Sequence, residues 1–411
     1  MTSGGRRVQL LVLVGIALIA LTLRSAVTAV SPLIEDLRED LGVGTAAIGI
    51  LGLLPPLCFA VVGALAPAVG RKLGLERALV LSLAVTVAGT LGRSVVDGVV
   101  PFLVLSAVTL SGMAMGNVLL PPAVKRYFPG HIGTVTSFYV VMIAVGAALP
   151  PYVAVPLGDA FGWRLSLASW ALVAVAAVLP WLPRLRTRGG GEFIHPGSRV
   201  AVLRSRRAWG LTLMFGMTAL NVYSLFAWLP SILIDAGFSV GDAGTLLGLY
   251  AGTGIPASIV VPLIAARMTN PFPLMLVFGA FFAVGYYGLL VTPTSQPVLW
   301  MIMAGLGPST FPLSITMINL RTTTEAGSAS LSGMVQGIGY AVAGVGPPVF
   351  GLLHEATGSW NPPLALLSCT VVLIMVGAWF ACQPGTVEQE LAERATARGD
   401  GVTPVLTGHR P

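Results

Sequence analysis

The side chain best placed to do chemistry in this sequence is Arg24. It stands between two apolar stretches, Val8 to Leu23 and Ser25 to Val30. In lipid, a guanidinium at that depth costs about 2.5 to above 10 kcal/mol, so it is retained where it faces water, a partner or a ligand. No Asp or Glu occurs at comparable depth in any long apolar segment. A lone deep cation of this kind is suited to an anion or a strong hydrogen-bond acceptor. Snorkelling to Glu35 or Asp36 is the competing explanation. Those acids lie 11 and 12 residues further on, about 16–18 Å along a helix and out of reach of an intrahelical pair.

Other polar groups could complete a site around it. Asn221 and Tyr223 fall near the middle of one apolar segment, Gln336 and Tyr340 near the middle of another. Gln336 and Tyr340 are four residues apart and share a helix face. An amide beside a phenol can bind a carboxylate or a small heterocycle, and the same groups serve equally as interhelical hydrogen bonds. Asn117 sits nearer the cytoplasmic end of its segment, where a structural role competes with a site role. Tyr139, Trp228 and Tyr250 could pack on a planar solute or act as interfacial anchors. The sequence points to no metal and no cofactor. The histidines (His131, His195, His354, His409) and cysteines (Cys58, Cys369, Cys382) are scattered. Gly252-Thr253-Gly254 follows no strand, and neither a phosphate-binding loop nor a nucleophile elbow is present. An enzyme is not expected.

The elements that hold these groups are read from composition. Of the 411 residues only 9% are charged, against about 25% in soluble domains, and the mean hydropathy is +0.86. The expectation is an all-α membrane protein. Runs of 18 or more apolar residues predict membrane helices. Twelve are read at 8–34, 45–69, 76–95, 101–123, 133–156, 163–182, 208–232, 243–267, 272–291, 297–319, 328–352 and 362–382. Residues 1–183 form a first six-helix half and 208–382 a second. The linker 184–207 is rich in Arg and Gly, and 383–411 is a polar tail, mostly disordered, with a short helix near Glu388 to Arg394. The first apolar run is too long for a cleaved signal and is read as a retained helix.

The net charge of +7 does not imply a nucleic-acid partner, because the basic residues sit in short loops. With both termini cytoplasmic, all of the 23 Lys and Arg except Arg24, Arg38, Arg93 and Arg164 fall on the inside, as the positive-inside rule requires. The expected location is the cell membrane, multi-pass, in contact with lipid and as a monomer. The halves also repeat. Ala144 to Pro151 aligns with Ala341 to Pro348 at an offset of 197, with Trp163 and Trp360 each 12 residues beyond the second proline. Parallel repeats around a midplane site are a recurrent transporter plan. At this offset Arg24 maps onto Asn221, which predicts two pseudo-symmetric six-helix bundles with these side chains facing each other.

Gly63 to Gly74 (GALAPAVGRKLG) resembles the loop motif of the major facilitator superfamily, written G-x-L-x-D-R-x-G-R-K-x-G. Gly63, Gly70, Arg71 and Lys72 are its matching gating-loop positions, and Pro67 replaces the acidic residue. The resemblance implies that the carboxylate latch is missing, while Arg71 and Lys72 can still meet helix C-terminal carbonyls. Within that superfamily the chain resembles the cyanate/nitroimidazole transporters. The matching stretches are Leu23 to Leu33, Gly116 to Pro121, Ala227 to Pro230 and Leu331 to Tyr340, followed by Gly346-Pro347 and Gly351 to His354. The resemblance implies a secondary transporter of a small anionic or polar solute working by alternating access, with protons as a coupling ion to be tested. The alternative is a proton-coupled drug or antibiotic exporter. Such exporters commonly use a membrane-embedded acid, and none is visible here.

Overall fold

The computed structural model describes residues 3–185 and 201–397. Apolar side chains force the chain to satisfy its backbone internally, which for a membrane span means helices. The first half comprises α1 (Ser3–Thr28), the short α2 (Ile34–Leu41), α3 (Thr45–Leu73), α4 (Leu75–Arg93), α5 (Val99–Tyr127) and α6 (Ile132–Val178). The second half comprises α7 (Arg206–Asp235), α8 (Val240–Gly252), α9 (Gly254–Ala265), α10 (Phe272–Val291), α11 (Pro297–Leu306), α12 (Thr310–Leu320), α13 (Glu325–Thr357) and α14 (Asn361–Ala381). α15 (Val387–Ala397) follows in the tail. Of the expected linker, residues 186–200 lie outside the described residues, as do residues 398–411 of the tail.

Eleven stretches among the described residues are long and apolar enough to cross a membrane. The segment expected at 328–352 falls on α13, which has the length, 33 residues, but not the apolar composition. Its polar face is turned into protein: Ser328, Ser330, Ser332 and Gln336 are buried. The segments expected at 133–156 and 163–182 run into each other as α6, with Gly162 as the single non-helical residue. Its φ of +82° is a conformation that favours glycine.

Two of the spans are broken midway. α8 passes into α9 at Thr253, and α11 into α12 through Gly307–Ser309. The breaks lie against each other. A Cβ on Gly305 would overlap the Thr253 hydroxyl and the Tyr250 carbonyl, so glycine is what lets these two backbones touch.

Within the first half, Gly89 of α4 lies against Thr109 of α5, and Gly112 of α5 against Thr86 of α4. Within the second, Gly210 of α7 meets the Gly377 carbonyl of α14. Between the halves, α3 packs on α13, and the first part of α6 on α9. These contacts gather toward the end where α1 starts and α14 finishes, here called the terminal end. There Gly333 receives the Pro67 ring, and Gly337 lies against Ala64, whose Cβ would be 2.9 Å from a Cβ built on it. Ser137 donates to the Ile259 carbonyl at 2.7 Å. Toward the opposite end, a Cβ on Gly49 or Gly52 of α3, or on Gly244 or Gly248 of α8, would meet nothing within 4 Å.

α15 extends the helix expected near Glu388 to Arg394 and is docked. The Glu390 carboxylate accepts from Ser205 Oγ at 2.6 Å, the Arg206 amide at 2.8 Å and the Arg207 amide at 3.2 Å, and pairs with Arg394 at 2.6 Å. Glu388 accepts from the amides of Thr323 and Thr324. Burial alone would raise Glu390, but these donors outweigh it and hold the carboxyl below its usual range. A carboxylate with a lowered pKa stabilises docking above the ordinary value near 4.3 and loses that contribution as pH falls through the lowered one. Docking is therefore expected to persist at neutral pH and to weaken below about pH 4. Glu390→Ala should remove it at pH 7, at a cost of about 1–3 kcal/mol. Amide exchange across 387–397 reads both effects, and unchanged protection in the variant would contradict the assignment.

Candidate functional site

Arg24 lies in the last two turns of α1, where the helix passes between the halves. Its Nη1 donates to Tyr223 Oη at 3.2 Å and its Nη2 to Tyr340 Oη at 3.3 Å. The guanidinium carbon is 5.4 Å from the ring centroid of Phe59 on α3, within cation–π range. No carboxylate among the described residues bonds to it. Arg24 and Tyr223 are half-buried, so neither is wholly enclosed by packed side chains. Tyr340 is fully buried, fixed by Phe59 with ring centroids at 5.0 Å and by Phe215 at 5.1 Å.

One turn nearer the terminal end, a chain of neutral groups joins the halves. Asn117 Nδ2 donates to Gln336 Oε1 at 2.5 Å, Gln336 Nε2 to Ser332 Oγ at 2.8 Å, and Ser332 Oγ to the Val118 carbonyl at 2.9 Å. Asn117 is half-buried and Gln336 fully buried. The structure thus brings Arg24, Tyr223, Tyr340, Asn117 and Gln336 within about one helical turn of each other between the halves. Such a site offers a fixed cation, phenol and amide dipoles, and one aromatic wall. That chemistry suits a small anion or a planar solute rich in acceptors.

Asn221 is placed elsewhere, and this corrects the expectation that it faces Arg24. It is fully buried inside the second half. Its Nδ2 donates to the Met217 carbonyl and to Thr370 Oγ1, both at 2.7 Å, and its Oδ1 accepts from Tyr286 at 2.6 Å. The reason is helical phase: at 100° per residue, positions 221 and 223 point about 200° apart. Tyr223, two residues on, is the side chain that reaches Arg24.

Trp228 is also held within the second half. Its indole donates to the Pro347 carbonyl at 2.9 Å, and its ring packs on Trp360, centroids 5.8 Å apart. Tyr139 and Tyr250 are buried, and neither hydroxyl has a hydrogen-bond partner among the described residues; Tyr250 packs edge-on against Phe226 at 5.5 Å. Neither is tied to Arg24 by a hydrogen bond.

In the gating loop, Gly63 lets α3 approach Val118, with a built Cβ at 3.3 Å. The Gly70 carbonyl accepts from Gly74 at 2.9 Å. Arg71 and Lys72 do not form the expected carbonyl contacts: Lys72 is exposed, and Nη1 of Arg71 is buried without a partner among the described residues. Other side chains tie the two halves together at this end. Lys125, at the end of α5, donates to the Asn319 carbonyl at 2.7 Å, to Thr322 Oγ1 at 3.0 Å and to the Thr322 carbonyl, and so joins the first half to the C-terminal end of α12. Arg126 pairs with Glu76 at 3.1 Å within its half and with Glu325 of the other half at 3.7 Å. Tyr127 donates to Glu76 at 2.5 Å. In sequence, Lys125 and Arg126 read only as topology determinants.

A second deep cation did not stand out in the sequence, because Arg93 lies two residues from the end of the segment read at 76–95, where a cation can be either buried or exposed. In the structure it is 2% exposed, and its Nε and Nη2 have no partner among the described residues. A buried ion without a partner costs several kcal/mol, and an apolar side chain of similar volume is often more stabilising. Arg93→Met is expected to raise the unfolding midpoint in detergent by several degrees; a fall of similar size would show that the guanidinium has a stabilising partner.

The Major Facilitator Superfamily sequence profile matches residues 16–343. The chain is 34% identical to the 2-nitroimidazole transporter of Escherichia coli (strain K12) over 383 residues, covering 91% of this chain and 95% of that protein. It is 28% identical to the cyanate transport protein CynX of the same organism over 375 residues, 90% of this chain and 95% of that one. In fold it is similar to the proton:xylose symporter XylE, with a TM-score of 0.76 and 14% identity over 95% of this chain and 99% of that one.

Proposed function

This chain belongs to the major facilitator superfamily, and from that premise we propose that it carries a small anionic or polar solute across the cytoplasmic membrane by alternating access. It is a multi-pass membrane transporter, not an enzyme. Twelve spans, with α13 as the eleventh, and both termini cytoplasmic complete the reading. Its support is the length of α13 and the basic residues clustered at the terminal end.

The observation that carries the proposal is the setting of Arg24. It is half-buried between the halves, bonded to two neutral phenols, and without a carboxylate partner among the described residues. An anion reaching its exposed part gains a charge-assisted hydrogen bond, roughly twice as strong as a neutral one. Tyr223 and Tyr340 beside Arg24, and Asn117 and Gln336 one turn away, would orient the solute. Tyr139, Trp228 and Tyr250 would act at most by shaping the walls. Relatives named for 2-nitroimidazole, cyanate and sulfoacetate support a small, acceptor-rich solute. A proton carried with the anion, or on the solute itself, would couple transport to a pH gradient without an embedded acid.

Thermal stabilisation in detergent tests the solute class directly. Cyanate, sulfoacetate and 2-nitroimidazole are to be compared with a cationic drug such as ethidium. At about 100 times its dissociation constant a true ligand adds about 2.7 kcal/mol, a shift of a few degrees in midpoint. Small anions or the heterocycle are expected to give it. Stabilisation by the cationic drug alone would reverse the reading toward an exporter.

A further inference from the structure

Arg24 can be satisfied from the opposite half by the protein itself. The two hydroxyls that meet its Nη atoms come from α7 and α13, both in the second half, at 3.2 and 3.3 Å. The same pattern recurs along the interface. Asn117 of the first half donates to Gln336 of the second, and Lys125 of the first donates to oxygens of Asn319 and Thr322. In these three contacts donors of the first half find neutral acceptors on the second; Arg126 and Glu325 form a charged pair at 3.7 Å, and Ser332 donates the other way, to the Val118 carbonyl.

This matters for how the carrier turns round. Between facing one side and facing the other, both ends must close over the central guanidinium, and a cation sealed in without an acceptor is strongly penalised. A carrier that depends on its solute to supply that acceptor can turn only when loaded, and so performs exchange. We propose that Tyr223 and Tyr340 are built-in surrogate acceptors that let the unloaded carrier reorient, so that the protein performs net one-way transport rather than obligatory exchange. The proposal rests on the reading of Arg24 as the solute site and adds the transport mode. The geometry fits a surrogate. Both bonds lie at or just beyond the long end of the N–H···O range, and a neutral phenol yields to an anion, whose bond to a guanidinium is stronger. Tyr340 is locked between Phe59 and Phe215, whereas Tyr223 is half-buried and is the one positioned to swing aside when solute arrives.

The test uses the full-length protein in proteoliposomes, with labelled cyanate and labelled 2-nitroimidazole as probes. Net uptake into vesicles lacking internal probe is compared with exchange against internal unlabelled probe. The wild type should show net uptake within about threefold of exchange. In the Tyr223→Phe/Tyr340→Phe double variant the ratio of net uptake to exchange should fall at least tenfold, whatever the absolute rates, because only the unloaded step loses its acceptors. An unchanged ratio, equal loss of both modes, or a wild type confined to exchange would overturn the proposal. Arg24→Ala separates the two readings: transport at normal affinity in that variant sinks the solute site itself. A probe-free arm decides the case if neither compound is carried. Spin labels at Asp159→Cys and Asp242→Cys, in a background without native cysteines, report the distance across the end opposite the termini. Without solute, the wild type should populate a short-distance state that the double variant depletes severalfold; identical distributions would refute the surrogate role.

Discussion

Arg24→Ala is expected to abolish solute-dependent stabilisation and transport while leaving the folded protein intact. Truncating one partner of a buried charged interaction costs about 2–5 kcal/mol, which corresponds to roughly 30-fold to several thousand-fold in affinity. The loss should fall on binding and not on folding, because the partners left behind, Tyr223 and Tyr340, are neutral and already packed against aromatic neighbours. Arg24→Lys keeps the charge but loses the planar fork that reaches two acceptors at once. It is expected to retain weak binding, reduced about tenfold or more. Thermal shift with cyanate and 2-nitroimidazole measures affinity, and the midpoint without additive measures folding. If Arg24→Ala binds normally, or if it unfolds, the guanidinium is architectural.

The second large effect belongs to the seam between α3 and α13. A Cβ on Gly333 would overlap the Pro67 ring, so Gly333→Val should oppose closure of the terminal end. Overpacking of this kind costs about 1–3 kcal/mol, and 3 kcal/mol moves a balanced two-state equilibrium by about 150-fold. The halves can relieve the strain by parting, so the protein should stay folded while transport drops at least tenfold. Gly112→Val is the control. There a Cβ would press on the Ser82 carbonyl and the backbone nitrogen of Thr86 within one half, where no rocking gives relief. That variant is expected to lose several degrees of thermal stability or fail to accumulate. Equal destabilisation by both substitutions would mean that the seam is a static core.

Most of the spans and the deep cation were legible in the sequence because each is written locally. Apolar runs mark helices, and an Arg deep within one stands out against them, too far from Glu35 and Asp36 for an intrahelical pair. Side-chain direction was less legible. The repeat offset correctly placed an α7 residue opposite Arg24 but named Asn221, two positions from Tyr223, since internal symmetry fixes the helix and not its rotation. Lys125 was hidden because a cation bonded to backbone carbonyls leaves no partner residue to read. Arg93 was hidden at a segment end, where burial and exposure look alike. The polarity of α13 was deceptive in another way. Its serines and Gln336 lower its hydropathy, yet two of them pair with the first half: Gln336 with Asn117, and Ser332 with the Val118 carbonyl.

The tail helix α15 gives a practical handle. Its bonds go to Ser205, Arg206 and Arg207 at the start of α7 and to Thr323 and Thr324 just ahead of α13, all on one bundle. A fluorophore on exposed Glu393 therefore rides rigidly with that bundle, and a second dye on exposed Lys72 rides with the other. Energy transfer between the two dyes then becomes a ruler for the gap on that face, readable during turnover without touching any residue near Arg24.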